Sequence, residues 1–293
     1  MYIEGPVGFV VSAGRTGTAF FGERLNEVFP DTAAFHEPDT INQRHFLHDL
    51  TTVVRRFGVY QGVIGKAFGR TGLRNVADRF VAGRISESEA IEQFLEHRAR
   101  FYQTQRERFV IESNYALFPL LPLLPKLVKQ YRVVAITRDP ESWIRSYMRK
   151  DDRYGSKDFL QVLGQRISPE RIQDEATLKE WPRMATNERL AWFWQLVYGR
   201  IAAAADQDDN IRIFRFEDLF YSDEREKYFL EMATFLKGIA GDRVTPRVPA
   251  GFLDDVRNAS PNPKSPIDGE EIAAAAAKWC DPLRQRWDYP VAR

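Results

Sequence analysis

The segment Val7-Gly-Phe-Val-Val-Ser-Ala-Gly-Arg-Thr-Gly-Thr-Ala-Phe20 constrains the fold more than any other stretch of the chain. A short apolar run ends in small residues and two glycines bracket an arginine. From Thr18 onward, Phe20, Phe21, Leu25, Val28 and Phe29 recur at helical spacing. This reads as a buried strand, a tight loop and a helix. Such a loop turns several backbone N–H groups toward one spot, where the helix dipole also favours negative charge. A phosphate site is the expectation, and a plain tight turn is the alternative. The order Gly14-Arg-Thr-Gly-Thr is not the GxxxxGK[ST] of the magnesium-dependent nucleotide loops.

Further buried strands read at TAAFHE (32–37), RFVIES (108–113), RVVAIT (132–137) and NIRIFRF (210–216). Helical patterns alternate with them. INQRHFLHDLTTVVRRF reads as one helix, and SESEAIEQFLEHRARFYQ as another that opens with Ser86 and Glu89 in capping-box relation. YALFPLLPLLPKLVKQ reads as a proline-punctuated helix. Asp139 and Pro140 supply a cap and a first-turn proline for ESWIRSYMRK. NERLAWFWQLVYGRIAAAA, EREKYFLEMATFLKGIA and residues 270–286 complete the set, with Trp192, Phe193 and Trp194 read as helix core. The alternation predicts an α/β fold of P-loop nucleotide-binding type: a mainly parallel sheet flanked by helices. We expect one domain over residues 1–293, with helical insertions at about 40–108 and 151–185 and a linker-like stretch at 260–269.

With 42 basic and 41 acidic residues the net charge is +1, so no whole-protein field draws the chain to nucleic acid or an anionic membrane. Anion recognition must be local. The lone Cys280 excludes an intramolecular disulfide and a multi-cysteine metal site, and points to a reducing compartment or to indifference to redox. The N-terminus carries no basic leader, and its apolar run is too short for a signal-peptide core or a spanning helix. A cytoplasmic location and no membrane span are the expectations.

A second constellation lies farther along. RVVAIT ends at Arg138, and Ser146 follows eight positions later on the next helix. In an open parallel sheet, carboxyl strand ends border one crevice, so Arg138 is expected to face the space that the first loop opens into. Arginine and hydroxyl together predict a second anion site, separate from the first. A nucleoside with phosphates at both ends would fill the pair.

These motifs resemble those of the sulfotransferases that use 3′-phosphoadenosine 5′-phosphosulfate, and the likeness fits the bacterial or carbohydrate-directed branch better than the phenol and steroid branch. Arg15-Thr16-Gly17-Thr18 resembles the family loop that holds the 5′-phosphosulfate. Arg138-Asp139-Pro140 with Ser146 resembles the element that holds the 3′-phosphate. RFEDLF (215–220) and CDPLRQRWDYP (280–290) resemble two further family elements. The resemblance implies that Gly14, Arg15, Thr16, Gly17, Thr18 and Ala19 bind the 5′ end of this co-substrate, Arg138 and Ser146 its 3′-phosphate, and Lys264 the same phosphate from a late loop. The product would be 3′-phosphoadenosine 5′-phosphate.

Arginine suits that chemistry. Sulfuryl transfer builds negative charge on the bridging oxygen of the leaving phosphate, and one cation with backbone donors can stabilise it without metal. A guanidinium also grips two oxygens at once. The acceptor hydroxyl needs a base. Where phenol-directed relatives place a histidine, this chain reads Glu112-Ser113-Asn114. Glu37, in FHEPD at the end of a short strand, is the expected base, matching relatives with Glu-Pro there. His36 is expected on the opposite face.

Other features read as structural. His45 and His48 stand three apart on a helix without a third ligand, so no metal site is expected. GKAFGRTG (65–72) reads as a flexible loop near the acceptor pocket. Arg55, Arg56, Arg98 and Arg100 lie on amphipathic helices and fit either a binding face or a solvated one. Two other functions compete: a magnesium-dependent P-loop kinase, with Asp139 as metal ligand, and a non-catalytic nucleotide-binding module. The acceptor reads as a hydroxyl of a small molecule, lipid or carbohydrate.

Overall fold

The computed structural model describes residues 2–29, 32–41, 45–105, 109–150, 153–162, 166–241, 245–254 and 268–290. Strands β1 (Ile3–Val11), β2 (Thr32–His36), β3 (Phe109–Ser113), β4 (Val128–Thr137) and β5 (Ile211–Arg215) form a parallel sheet in the order β2-β3-β1-β4-β5. Every neighbouring pair is parallel, with Val10 opposite Ser113 on one side of β1 and Val11 opposite Ala135 on the other. The expected α/β class is the observed one.

The longer helices are α1 (Thr18–Val28), α2 (Phe46–Phe57), α3 (Leu73–Val81), α4 (Glu87–Gln103), α5 (Pro140–Met148), α6 (Thr186–Ala205), α7 (Arg225–Lys237) and α8 (Gly269–Arg286). They cover both faces of the sheet, which is why its strands read as continuous apolar runs. Successive strand residues point to opposite sides. Val10, Val134 and Ile136 pack with Phe21, Leu25, Phe229 and Met232 of α1 and α7. Phe9, Val11, Val133 and Ala135 belong to the other layer, with Trp143, Trp192, Phe193 and Trp194. The expected core role of the α6 aromatics holds, and all three are buried.

Three segments differ from the sequence reading. YALFPLLPL is a 3₁₀ helix (Tyr115–Leu123) followed by one α-turn (Leu124–Leu127), because Pro119 and Pro122 lack the N–H that an α-helix interior uses. β4 therefore starts early, at Val128. Phe216, read as the end of a strand, instead opens a short helix, Phe216–Phe220. No helix among the described residues is long and apolar enough to cross a membrane.

Chain direction positions the site. From β1 the chain enters α1 on one face of the sheet, whereas from the adjacent β4 it enters α5 on the other. The loops after these strands part, and a crevice opens at their carboxyl ends.

Candidate active site at the carboxyl ends of β1 and β4

The loop after β1 is held from below. The Ser12 hydroxyl accepts from the Gly14 N–H at 3.0 Å and from the Thr16 hydroxyl at 2.5 Å. Trp143 Nε1 donates to the Gly14 carbonyl at 2.8 Å, and the Tyr147 hydroxyl to the Ala13 carbonyl at 3.1 Å. Gly14, Arg15 and Gly17 all take positive φ, at 79°, 58° and 78°. Glycine is required at 14 for a second reason: a Cβ there would stand 2.6 Å from the Tyr147 hydroxyl oxygen. Gly17 caps α1 without any side-chain acceptor, and no acidic residue stands in the first turn. The N–H groups that open α1 thus face the crevice with no carboxylate of their own first turn to neutralise them.

Arg138 and Ser146 come to the same place. Arg138 donates from Nη1 to the Arg15 carbonyl at 2.8 Å and from Nε to the Ser142 hydroxyl at 3.0 Å, and its guanidinium lies 4.7 Å from the Phe216 ring centre. Arg15 Nε donates to the Ser146 hydroxyl at 3.2 Å. Arg15 and the Arg138–Ser146 pair, expected to form two separate anion sites, are in direct contact in this structure. The long flexible stem of Arg15 lets its guanidinium reach Ser146 on α5.

The neighbouring turn is anchored by residues that the motifs place far away in sequence. Asp139 caps α5 by accepting from the Ser142 N–H at 2.8 Å, and its own N–H donates to Glu217 Oε1 at 3.0 Å. Tyr289 donates to Glu217 Oε2 at 3.1 Å and bonds the Thr137 hydroxyl at 2.8 Å. Trp194 Nε1 donates to the Arg138 carbonyl at 3.0 Å, and Tyr198 to the Ile136 carbonyl at 2.9 Å. Glu217 of RFEDLF and Tyr289 of the C-terminal segment are therefore braces for the strand that carries Arg138. Neither motif shows that job in its local sequence, because the partners stand 72 and 78 positions apart. Burial pushes the Glu217, Asp139 and Tyr289 groups up from their ordinary values, the near carboxylates adding to the rise.

Glu37 stands across the crevice at the end of β2. Its N–H donates to the Ser113 carbonyl at 3.0 Å, and Ser113 Oγ donates to the Thr18 carbonyl at 2.8 Å, so the end of β3 ties Glu37 to the start of α1. Glu37 takes φ of 39°, and the Thr40 hydroxyl donates to Oε2 at 3.2 Å. Burial pushes the carboxyl up from its ordinary value and Asp39 adds to this, while His36, Thr40 and Lys66 oppose it. His36 does not turn to the opposite face: it lines the crevice beside Glu37, with Nε2 3.8 Å from Oε1. The strand ends at His36 and the backbone enters a left-handed turn, so two-residue alternation stops there. α1 passes so close that a Cβ on Gly22 would lie 2.5 Å from the His36 Cα.

The crevice has a volume of about 900 Å³. Gly14, Arg15, Gly17, Thr18, Ala19, Arg138 and Ser146 line it, as do Glu37, Tyr115, Tyr147, Phe216 and Phe220. Among the described residues its walls carry Arg15, Arg138, Arg145, Arg149, Lys150 and Arg225 against Glu37 and Asp254, six cations to two carboxylates. That field favours a multiply charged anion. Thr16 does not line the crevice; its side chain turns inward to Ser12. Lys264 lies outside the described residues.

GKAFGRTG is fastened rather than loose. Lys66 Nζ donates to the Asp39 carbonyl, Asn75 Nδ2 donates to the Thr71 carbonyl at 2.7 Å, and Thr71 Oγ1 donates to the Gln61 carbonyl at 2.9 Å. His45 and His48 are exposed. Among the described residues there is no group of three or more His, Cys, Asp or Glu that could hold a metal ion. Cys280 is buried, its Sγ 3.6 Å from the Ala191 carbonyl.

No family model matches the chain, and no curated protein sequence matches it. Solved structures do. The sulfotransferase STF9 from Mycobacterium avium aligns with a TM-score of 0.52 at 12% identity, over 99% of this chain and 79% of that one. The sulfotransferase domain from the curacin biosynthetic pathway gives 0.49 at 13% identity over 100% of both chains. The one from the Synechococcus PCC 7002 olefin synthase gives 0.46 at 13%, over 100% of this chain and 98% of that one. The likeness to STF9 is one of fold.

Proposed function

We propose that this chain is a sulfotransferase, which moves a sulfuryl group from 3′-phosphoadenosine 5′-phosphosulfate to a hydroxyl of a small-molecule, lipid or carbohydrate acceptor. One observation carries the reading. On a fold shared with a sulfotransferase, Arg15, Arg138 and Ser146 converge on one cationic crevice that opens onto an uncapped helix N-terminus. Gly14 lines that crevice at a point where a side chain would collide with Tyr147.

When bound, the donor supplies the activated sulfuryl group. Gly14, Gly17, Thr18 and Ala19 offer backbone at its 5′ end, with the Arg15 guanidinium beside them. Arg138 and Ser146 hold the 3′-phosphate. Arg15 neutralises the charge that builds on the leaving phosphate oxygen, in the manner of an oxyanion-hole donor. Glu37 takes the acceptor's proton: it faces the crevice, and its proton affinity is raised toward the range useful to a general base. Asp139, the residue that a kinase would use for metal, caps α5 instead.

Thermal melting in a panel of nucleotides tests the donor site. 3′-Phosphoadenosine 5′-phosphate without metal raises the melting temperature, whereas ATP or GTP with magnesium leaves it in place. The reverse pattern supports the kinase. Mass spectrometry for the gain of one SO₃ across an acceptor library, with the phosphosulfate donor present, identifies the acceptor. Donor binding with no acceptor ever modified, and with Glu37 dispensable, supports a binding module.

A further inference from the structure

Behind Glu37 lies a cluster of buried charges for which the crevice itself has no use. Asp39, His97, Arg98 and Glu112 are all almost fully buried. Arg98 donates from Nη2 to Asp39 Oδ1 at 2.9 Å and to Glu112 Oε1 at 3.0 Å. Asp39 Oδ2 accepts from the Leu73 N–H at 3.2 Å, lies 3.3 Å from His97 Nε2, and is 3.5 Å from Lys66 Nζ. The hydroxyl of Tyr102 and the amide of Asn114 complete Glu112. Burying two carboxylates and a guanidinium is expensive unless every group is satisfied, and a stable core does not require it. The cluster links β3, α3 and α4 to a single point of the chain, two residues beyond Glu37.

We infer that Asp39 is a positioning residue for Glu37: the Asp39–Arg98–Glu112 cluster anchors the turn that aims the Glu37 carboxylate into the crevice, and it sets the charge beside that carboxylate. The inference rests on the reading of Glu37 as base. Three contacts support the anchoring. The Thr40 N–H donates to the Glu37 carbonyl at 2.8 Å and closes the turn across Asp39. Arg56 of α2 donates to the Pro38 carbonyl at 3.4 Å, and Lys66 to that of Asp39. Glu37 itself stays in the left-handed region, a conformation that a glutamate keeps only when its surroundings impose it.

Among the described residues, the charged and titratable groups around Glu37 are His36 on β2, Asp39 in the turn, Lys66 before α3, Arg56 on α2, His97 and Arg98 on α4, and Glu112 on β3. Asp39 stays ionised because Arg98, Lys66 and His97 outweigh the effect of its burial. Its negative charge favours a proton on Glu37, and Lys66 opposes it. Removing either changes how readily Glu37 takes a proton, in opposite directions.

The test is a pH titration of Glu37 by NMR in protein labelled with ¹³C at glutamate carboxyl groups, the Glu37 signal being the one that Glu37→Gln removes. In Asp39→Asn the midpoint falls, and in Lys66→Met it rises. The acid limb of the kcat–pH profile moves with it. If Asp39→Asn does not fold, Lys66→Met decides, since Lys66 sits at the edge of the cluster. A midpoint unmoved in folded Asp39→Asn overturns the inference, and where that variant does not fold, a midpoint unmoved in Lys66→Met does. The two failures separate, because the titration is read without turnover: Glu37→Gln retaining sulfuryl transfer removes the base, whereas Glu37→Gln inactive with the midpoint fixed removes only the role of the cluster.

Discussion

The guanidinium of Arg138 donates to the backbone carbonyl of Arg15 at 2.8 Å, so the end of β4 grips the loop after β1 directly. The same guanidinium bonds Ser142 and packs on Phe216. Lysine has the charge but not the planar fork, and cannot hold Ser142 and the loop while also meeting a phosphate. Arg138→Lys therefore weakens 3′-phosphoadenosine 5′-phosphate by roughly 10- to 150-fold, from about 1.5–3 kcal/mol for a hydrogen bond to a charged group. Calorimetric titration checks this; an unchanged affinity places the 3′-phosphate elsewhere.

In the proposed reaction Arg15 acts through charge that develops during transfer, so its removal is expected to lower kcat more than donor affinity. Arg15→Ala loses about 10²- to 10³-fold in kcat, by analogy with a deleted oxyanion donor. Arg15→Lys retains more of the rate because the cation remains, although the bond to Ser146 Oγ is lost. Weakened product-nucleotide affinity with kcat unchanged in Arg15→Ala makes the residue a ground-state binder instead.

How much of this was legible in the sequence depends on the range over which a residue's partners lie. The Gly14–Thr18 loop and the Arg138–Ser146 helix carry their geometry in local spacing, and both were readable. Arg98 was not: on amphipathic periodicity it fits a solvated face, yet it is fully buried, because its partner Asp39 stands 59 positions away. No local pattern reports such a pair. Thr16 reads as a phosphate ligand from its motif, but Ser12, four residues back, claims its hydroxyl. Strand alternation puts His36 opposite Glu37 only if the strand runs on through Glu37, whereas it ends at His36 and Glu37 turns left-handed. The close approach of α1 and β2 explains Gly22, a residue that looks unremarkable inside a helix.

Gly22→Ala offers a test of that approach. Its Cβ would meet the His36 backbone at 2.5 Å, and backbone does not yield as a side-chain tip does. The end of β2 must shift, taking Glu37 with it. We expect a lower melting temperature and a fall in kcat, with product-nucleotide affinity changed much less, because Arg138 and Ser146 lie on other strands and helices. An affinity loss equal to the kcat loss shows that the loop after β1, not the base, absorbed the displacement.

Gly14→Ala combines two penalties. Positive φ strains alanine by about 1–3 kcal/mol, and the new methyl collides with the Tyr147 hydroxyl at 2.6 Å. Adding Tyr147→Phe removes the collision but not the strain, and it also removes the bond to the Ala13 carbonyl. The double variant therefore melts above Gly14→Ala alone and below wild type. A double variant no more stable than the single one shows that backbone conformation, rather than Tyr147, selects glycine.

Glu37 and Asp39 are expected to act on stability with opposite signs. Asp39 is held well below its ordinary value by Arg98, Lys66 and His97 despite its burial. Its contribution is present above the ordinary carboxylate range and is lost as pH falls from there through its folded value. Glu37 is pushed up by burial, so folding favours its protonated form; that contribution is present below its ordinary value and is lost as pH rises through the folded one. Urea melts from pH 7 down to about pH 3 read both. Asp39→Asn is less stable than wild type at neutral pH by about 3–5 kcal/mol, since Arg98 keeps only Glu112 as a full charge partner, and the gap narrows toward acid as wild-type Asp39 is itself protonated. Glu37→Gln is at least as stable as wild type at pH 7, because it places no charge in the half-buried site, and loses that advantage in acid. An Asp39→Asn gap that stays constant across the series refutes the ionised, Arg98-paired Asp39 on which the anchoring of Glu37 depends.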